Sequence, residues 1–283
     1  MASREKITVR DVVRAKQRGE RIVMVTAYDY PPARIVDEAG VDAILVGDSV
    51  GMVVHGLGST LQVTMDMMLL HVAAVARAKP RALVVGDMPF MSYEASINEA
   101  VRNAGKMLAM GADAVKLEGG QEYSDVVKAL TRAGIPVMGH IGLTPQKHKL
   151  LGGYRLAGKT AEEAKKIIQD AEALEEAGAF AIVIEFTAHE VARKITQRLS
   201  IPTICIGSGP HCDGQILVLH DLIGLSPSPP PFAKKYLDAA KMIREAVTRY
   251  ANEVRQGAFP STGMYWGMKK GELDRLEQML REK

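Results

Sequence analysis

The feature that most constrains this chain is an alternation repeated along its length. Short, nearly continuous apolar runs of four to six residues are separated by longer stretches with apolar residues at helical spacing. The runs fall at residues 22–27, 43–46, 82–85, 114–117, 136–139, 180–184, 203–206 and 216–219. A strand with one wet face alternates apolar and polar residues, whereas continuous hydrophobicity marks a strand covered on both faces, as in a parallel sheet under helices. Helical patterns fill the intervals: one opened by Pro31 and Pro32, then 63–78, 96–110, 123–133, 160–177 and 191–199. Several stop at the same punctuation, Gly40, Gly111, Gly134 and Gly178. A glycine just past a helix accepts the left-handed conformation that closes it. Eight strand–helix units predict an α/β chain folded as a (β/α)8 TIM barrel, about 20–225. A doubly wound sheet would use fewer strands, and no shift in composition divides the chain. The expectation is one domain over 1–283. It includes an extra N-terminal helix near 8–19, where Thr8 and Asp11 form a capping pattern, and a C-terminal helical extension over about 232–283. That extension follows the proline-rich connector 226–231, with helices at 232–256 and 272–281.

Composition removes several classes of function. Hydrophobic residues make up 47% and charged residues 24%, the balance of a globular chain rather than a disordered, collagen-like or coiled-coil one. The net charge of +3, from 36 basic and 33 acidic residues, is too small and too evenly spread for a nucleic-acid footprint. No stretch approaches the roughly 18 uninterrupted apolar residues that span a membrane, and the charged first twenty residues do not read as a secretory signal. Two cysteines make no disulfide framework and match no metal spacing. Cys205 reads as a small buried hydrophobe and Cys212 as a loop thiol, which points to a reducing cytoplasm.

In a barrel of this kind, chemistry gathers at the C-terminal ends of the strands. There the sequence places Gly47-Asp48-Ser49, Gly86-Asp87, Lys116 with Glu118, Gly139-His140, Glu185 and His220-Asp221. Any one of these reads equally well as a solvated loop charge or helix cap; six on one rim are hard to explain as caps. Asp48, Asp87 and Glu118 offer hard oxygen donors with no cysteine or paired histidine nearby, a set suited to Mg2+. Lys116 and Glu118, two apart on one strand, face the same way. Lys116 could polarise a carbonyl, form a Schiff base or pair with Glu118 or Asp87. Glu185 follows an apolar run; in apolar surroundings its pKa would rise and make it a workable base, unless an arginine pairs with it. His140 is either structural or part of the reacting centre. Two glycine-rich loops, 51–59 and 142–154, are long enough to act as lids. Neither is a dinucleotide or Walker loop, and Gly207-Ser208-Gly209 is a weak anion-binding signal.

Taken together, several motifs identify a resemblance. Val25-Thr-Ala-Tyr-Asp-Tyr30, Leu45-Val-Gly-Asp-Ser49, Gly86-Asp-Met-Pro-Phe-Met91, Val115-Lys-Leu-Glu-Gly-Gly120, Gly139-His-Ile-Gly-Leu-Thr-Pro-Gln146 and Asp213-Gly-Gln-Ile-Leu-Val218 occur in this order. Over roughly 5–258 they closely resemble the ketopantoate hydroxymethyltransferase family. The resemblance implies transfer of a one-carbon unit from 5,10-methylenetetrahydrofolate to 3-methyl-2-oxobutanoate, giving 2-dehydropantoate for pantothenate biosynthesis through a Mg-stabilised enolate. It implies Asp48 and Asp87 as Mg2+ ligands, with Glu118 at the metal directly or through water. Asp48, Ser49, Asp87, Lys116 and His140 would line the keto-acid site, and Glu185 would take the proton. It further implies a cytoplasmic homodecamer. Two stretches depart from the family pattern: Phe186-Thr187-Ala188 replaces a Cys-Val-Pro-like run, and the loop 207–212 carries Ser208 in place of alanine. The rival readings are a C–C lyase or mutase of the phosphoenolpyruvate mutase and isocitrate lyase type, and a catalytically inactive barrel scaffold.

Overall fold

In the computed structural model, which describes residues 5–282, the chain divides into two compact units, one through Tyr236 and one from Leu237 onward. Among the described residues of the first unit, eight parallel strands close into a barrel in sequence order, β1-β2-β3-β4-β5-β6-β7-β8. They are β1 Ile22–Thr26, β2 Ala43–Val46, β3 Leu83–Asp87, β4 Ala114–Glu118, β5 Val137–Gly142, β6 Ala181–Glu185, β7 Thr203–Ile206 and β8 Gly214–Leu217. All eight apolar runs are strands, with ends that differ by up to three residues. The helices of this unit are α1 Val9–Arg18, α2 Tyr30–Glu38, α3 Val50–Val53, α4 Met65–Arg77, α5 Ile97–Ala109, α6 Ser124–Arg132, α7 His148–Leu151, α8 Ala161–Glu176, α9 His189–Arg198 and α10 Leu219–Leu222. The glycines expected to stop helices do adopt positive φ, between 82° and 104° at Gly40, Gly111, Gly134 and Gly178.

The period-2 geometry of a strand sorts its side chains into two layers. Ile44, Val84, Val115, Val137 and Ile182 point outward into a core shared with the helices. Met24, Leu45, Val85, Ala114, Met138, Val183 and Ile216 point inward and fill the barrel. Val12 and Ala15 of α1 join this inner core, so the extra N-terminal helix packs against the barrel filling. Its start is fixed as expected: Thr8 and Asp11 form a reciprocal capping box.

Two sequence expectations need correction. Cys205 and Cys212 are bonded to each other, and neither is free. Cys212 is buried rather than exposed in a loop, because the turn between β7 and β8 folds it back beside Cys205. The final long helix does not begin at 232. The second unit holds α11 Ala239–Arg255 and α12 Glu272–Arg281, and α11 starts where the Asp238 side chain accepts from the backbone N–H of Lys241. Phe232 instead packs its ring against Phe186, 5.5 Å away. No helix among the described residues is long and apolar enough to cross a membrane.

Candidate active site

The inward-facing positions of β3 to β6 end in charged residues instead of apolar ones. Leu83 and Val85 lead to Asp87, Ala114 to Lys116 and Glu118, Met138 to His140, and Ala181 and Val183 to Glu185. The strand register sets them side by side. Asp87 lies opposite Lys116, Glu118 opposite His140, and Glu185 opposite Gly142. Asp87, Lys116, Glu118 and His140 are all buried; Glu185 keeps 18% of its side chain exposed, at the mouth of the cluster. Gly142 is required there. Its φ is +91°, and a Cβ would lie 2.1 Å from Thr187 Oγ1 and 2.4 Å from the Glu185 carbonyl oxygen.

Two linked groups result. In the first, Lys116 Nζ donates to Asp87 Oδ1 at 2.7 Å, while Asp87 Oδ2 accepts from the backbone N–H of Asp48 at 3.1 Å. Asp48 is buried in the turn after β2, and its Oδ2 accepts from Gln146 Nε2 at 2.9 Å. Ser49 follows it, with its hydroxyl 2.9 Å from that of buried Tyr28. In the second group, His140 stands between two carboxylates. Its Nδ1 is 3.4 Å from Glu118 Oε1 and its Nε2 is 3.1 Å from Glu185 Oε2. Neither contact is aligned as a hydrogen bond, so both are ion pairs. Glu118 Oε2 accepts from the backbone N–H of Gln146 at 3.0 Å. The expected apolar pocket around Glu185 is not what its carboxylate meets; it faces the His140 ring.

Burial and charge together set the protonation states. Burial pushes the Asp48 carboxyl well above the usual range, and Asp87 beside it adds to the effect. Burial alone would depress the Lys116 pKa, but Asp87, Glu118 and Asp48 more than offset it, so the side chain stays an ammonium. A buried ammonium held by a carboxylate is a poor amine nucleophile, which favours the ion-pair and carbonyl-polarising readings of Lys116 over a Schiff base. Burial opposes ionisation of Glu118, yet His140 and Lys116 hold its carboxyl below the usual value. Burial and Lys116 pull His140 down, but Glu118 and Glu185 hold its pKa at about 9, making it an imidazolium at neutral pH.

Among the described residues, no group of three or more His, Cys, Asp or Glu side chains is arranged to hold a metal ion by itself. The donor chemistry still fits a hard divalent cation. Asp48 and Asp87 adjoin, both buried, with one ammonium, Lys116, on Asp87, and Asp48 Oδ1 receives no protein hydrogen bond among the described residues. Mg2+ is commonly held by one or two carboxylates and completed by water and substrate oxygens, which matches a two-carboxylate site. Both oxygens of Glu118 are engaged, by Gln146 and His140, and both of Asp87 by Lys116 and the Asp48 backbone N–H, each keeping a second lone pair, so Asp48 Oδ1 is the open donor.

Residues outside the expected set complete the site. Gln146, Tyr28 and Tyr93 had been quoted only within motifs or not at all, yet each is buried and touches a site residue. Tyr154, on the 142–154 loop, lies close enough for Glu185, Asp48 and Glu118 to help burial push its phenol pKa up. His220 places its ring 5.5 Å from that of Tyr28. The Ser208 side chain is buried as a hydrogen-bonding brace. A cavity of about 490 Å3, lined in part by Leu143, Thr144, Lys147 and Arg155, lies beside the β4 and β5 ends.

Comparison with known proteins identifies the fold and the family. Solved structures with the same fold include a phosphonopyruvate hydrolase (TM-score 0.60, 14% identity, covering 99% of this chain and 98% of that one). Another is 2,3-dimethylmalate lyase, a member of the phosphoenolpyruvate mutase/isocitrate lyase superfamily (TM-score 0.58, 19% identity, 97% and 96%). Sequence relatives are far nearer. The 3-methyl-2-oxobutanoate hydroxymethyltransferase of Hyperthermus butylicus is 71% identical, covering all of this chain and 98% of that protein. The one from Staphylothermus marinus is 65% identical, covering 96% of this chain and all of that protein. These identities leave the lyase or mutase alternative without support. The ketopantoate hydroxymethyltransferase family model matches residues 6–262, and with relatives this similar over nearly the whole chain, the protein belongs to that family of enzymes.

Proposed function

We propose that the chain transfers a hydroxymethyl group from 5,10-methylenetetrahydrofolate to 3-methyl-2-oxobutanoate, giving 2-dehydropantoate, with Mg2+ held by Asp48 and Asp87. The observation that carries this reading is the pairing of an acidic, cation-seeking pocket with a separate carboxylate at its mouth. Asp48 and Asp87 would hold a hard cation, which when bound would supply Lewis acidity to a 2-keto acid and so make the C–H beside the keto group removable. Lys116, an ammonium fixed by Asp87, presents positive charge to the oxygen that gains charge as the enolate forms. Glu185 takes the C3 proton. The imidazolium of His140 orients the Glu185 carboxylate, while Glu118 fixes the other side of the ring. Ser49, oriented by Tyr28, faces the keto acid. The neighbouring cavity offers room for the one-carbon carrier. The family's homodecameric assembly is part of the same proposal.

The decisive experiment uses no folate. With Mg2+ in deuterated water, the protein should exchange the C3 proton of 3-methyl-2-oxobutanoate, and chelation should stop it. Glu185→Gln should slow exchange at least a hundredfold, the usual scale for a lost general base, while keto-acid binding persists. Exchange at the wild-type rate would remove Glu185 from the role.

A further inference from the structure

Gln146 is an uncharged side chain at the barrel mouth with hydrogen bonds from both ends of its amide. It is 3% exposed and lies in the short turn that opens the long connection between β5 and α8. Its Nε2 donates to Asp48 Oδ2 at 2.9 Å and to the Met88 carbonyl oxygen at 3.0 Å. Its Oε1 lies 2.9 Å from the hydroxyl of buried Tyr93, and its backbone N–H donates to Glu118 Oε2 at 3.0 Å. Tyr93 in turn accepts from the backbone N–H of Glu118 at 3.2 Å. These partners settle which end of the amide is nitrogen: two acceptors face Nε2 and a hydroxyl faces Oε1. One residue therefore grips carboxylates from two different strand ends, and does so from a third element.

A carboxylate free to rotate offers a cation an unpredictable pair of oxygens. With Oδ2 drawn to Gln146, Asp48 presents Oδ1, which no protein hydrogen bond reaches among the described residues, on a fixed bearing. Partners behind metal ligands act this way, and losing one costs about 10–100-fold in metal affinity. We infer that Gln146 is a positioning residue that sets the ligating orientation of Asp48, and so ties cation binding to the seating of the segment that begins at residue 143. The inference rests on the cation reading of Asp48 and Asp87.

Direct titration with Mn2+, a spectroscopically visible stand-in for Mg2+, tests it on the full chain without substrate. Gln146→Leu should bind Mn2+ about 10–100-fold more weakly in protein that still unfolds cooperatively. Tyr93→Phe, which frees the amide but leaves it in place, should weaken binding severalfold. Mn2+ should slow amide hydrogen exchange across 143–158 in the wild type and leave it unchanged in Gln146→Leu. Wild-type Mn2+ affinity in folded Gln146→Leu overturns the inference. If that variant does not fold, wild-type affinity in Tyr93→Phe does so instead. A wild-type protein that binds no Mn2+ defeats the cation reading itself, a distinct result.

Discussion

His140 carries a pH dependence at the site that falls in an accessible range. On β4 it meets Lys116, which disfavours its charge, and Glu118, which favours it; on β6 it meets Glu185, which also favours it. Its pKa of about 9 in the folded chain compares with roughly 6.5 when unfolded. The folded protein thus holds this proton more tightly than the unfolded one. The stabilisation is whole below pH 6.5, declines as pH rises toward 9, and is gone above it. Denaturant unfolding of metal-free wild type and His140→Gln at pH 6, 8 and 10 should show the wild-type advantage shrinking as pH rises. An advantage that stays constant would mean His140 is neutral in the fold. At this scale the acids and Lys116 were legible in the sequence, since strand alternation and barrel handedness put inward residues at strand ends on one rim. Gln146 and Tyr93 were not: each lies in a loop, and only the closed barrel brings that loop to Asp48 or Glu118.

β6 shows how an element keeps a base in place. Ser208 Oγ donates to the Ile184 carbonyl at 2.8 Å and accepts from the backbone N–H of Thr187 at 3.0 Å. Thr187 Oγ1 donates to the Glu185 carbonyl at 2.8 Å, and the backbone N–H of Leu143 reaches the same oxygen at 2.8 Å. Phe186, between them, takes φ of +38°, a strained value for a residue with a side chain. The two stretches that depart from the family pattern are therefore partners, tying the end of β6 to the β7 loop. Ser208→Ala would leave the buried Thr187 N–H without its acceptor, a loss of about 1–3 kcal/mol. Denaturant unfolding should show that loss, together with slower C3 exchange at unchanged keto-acid affinity; unchanged stability would show the brace to be dispensable. The strands themselves were legible because each is covered on both faces and so reads as an apolar run. The start of β8 was not: Gly214 and Gln215 have little strand character, and their pairing with β1 and β7 is what defines them.

Closing the barrel requires β1 to meet β8 across most of the chain, with Ile22 opposite Gly214. Contacts between such distant segments are the costliest to organise, because the intervening chain must be ordered before they form. The Cys205–Cys212 bond acts at this junction, joining β7 to the residue two before β8 across a separation of seven. It limits the freedom of the last turn in the unfolded chain and keeps β8 near β7 whenever β7 is placed. A loop this short is worth about 2–3 kcal/mol on chain-entropy grounds. The sequence concealed the bond because two cysteines in one short loop look the same whether paired or free, and only the fold of the turn decides their separation. The pairing also withdraws the argument for a reducing compartment that free thiols had supplied. Reductant should lower the wild-type unfolding free energy by that amount and leave a Cys205→Ala, Cys212→Ala double variant unaffected. Two titratable thiols in native, unreduced protein would refute the bond and assign closure to strand pairing alone.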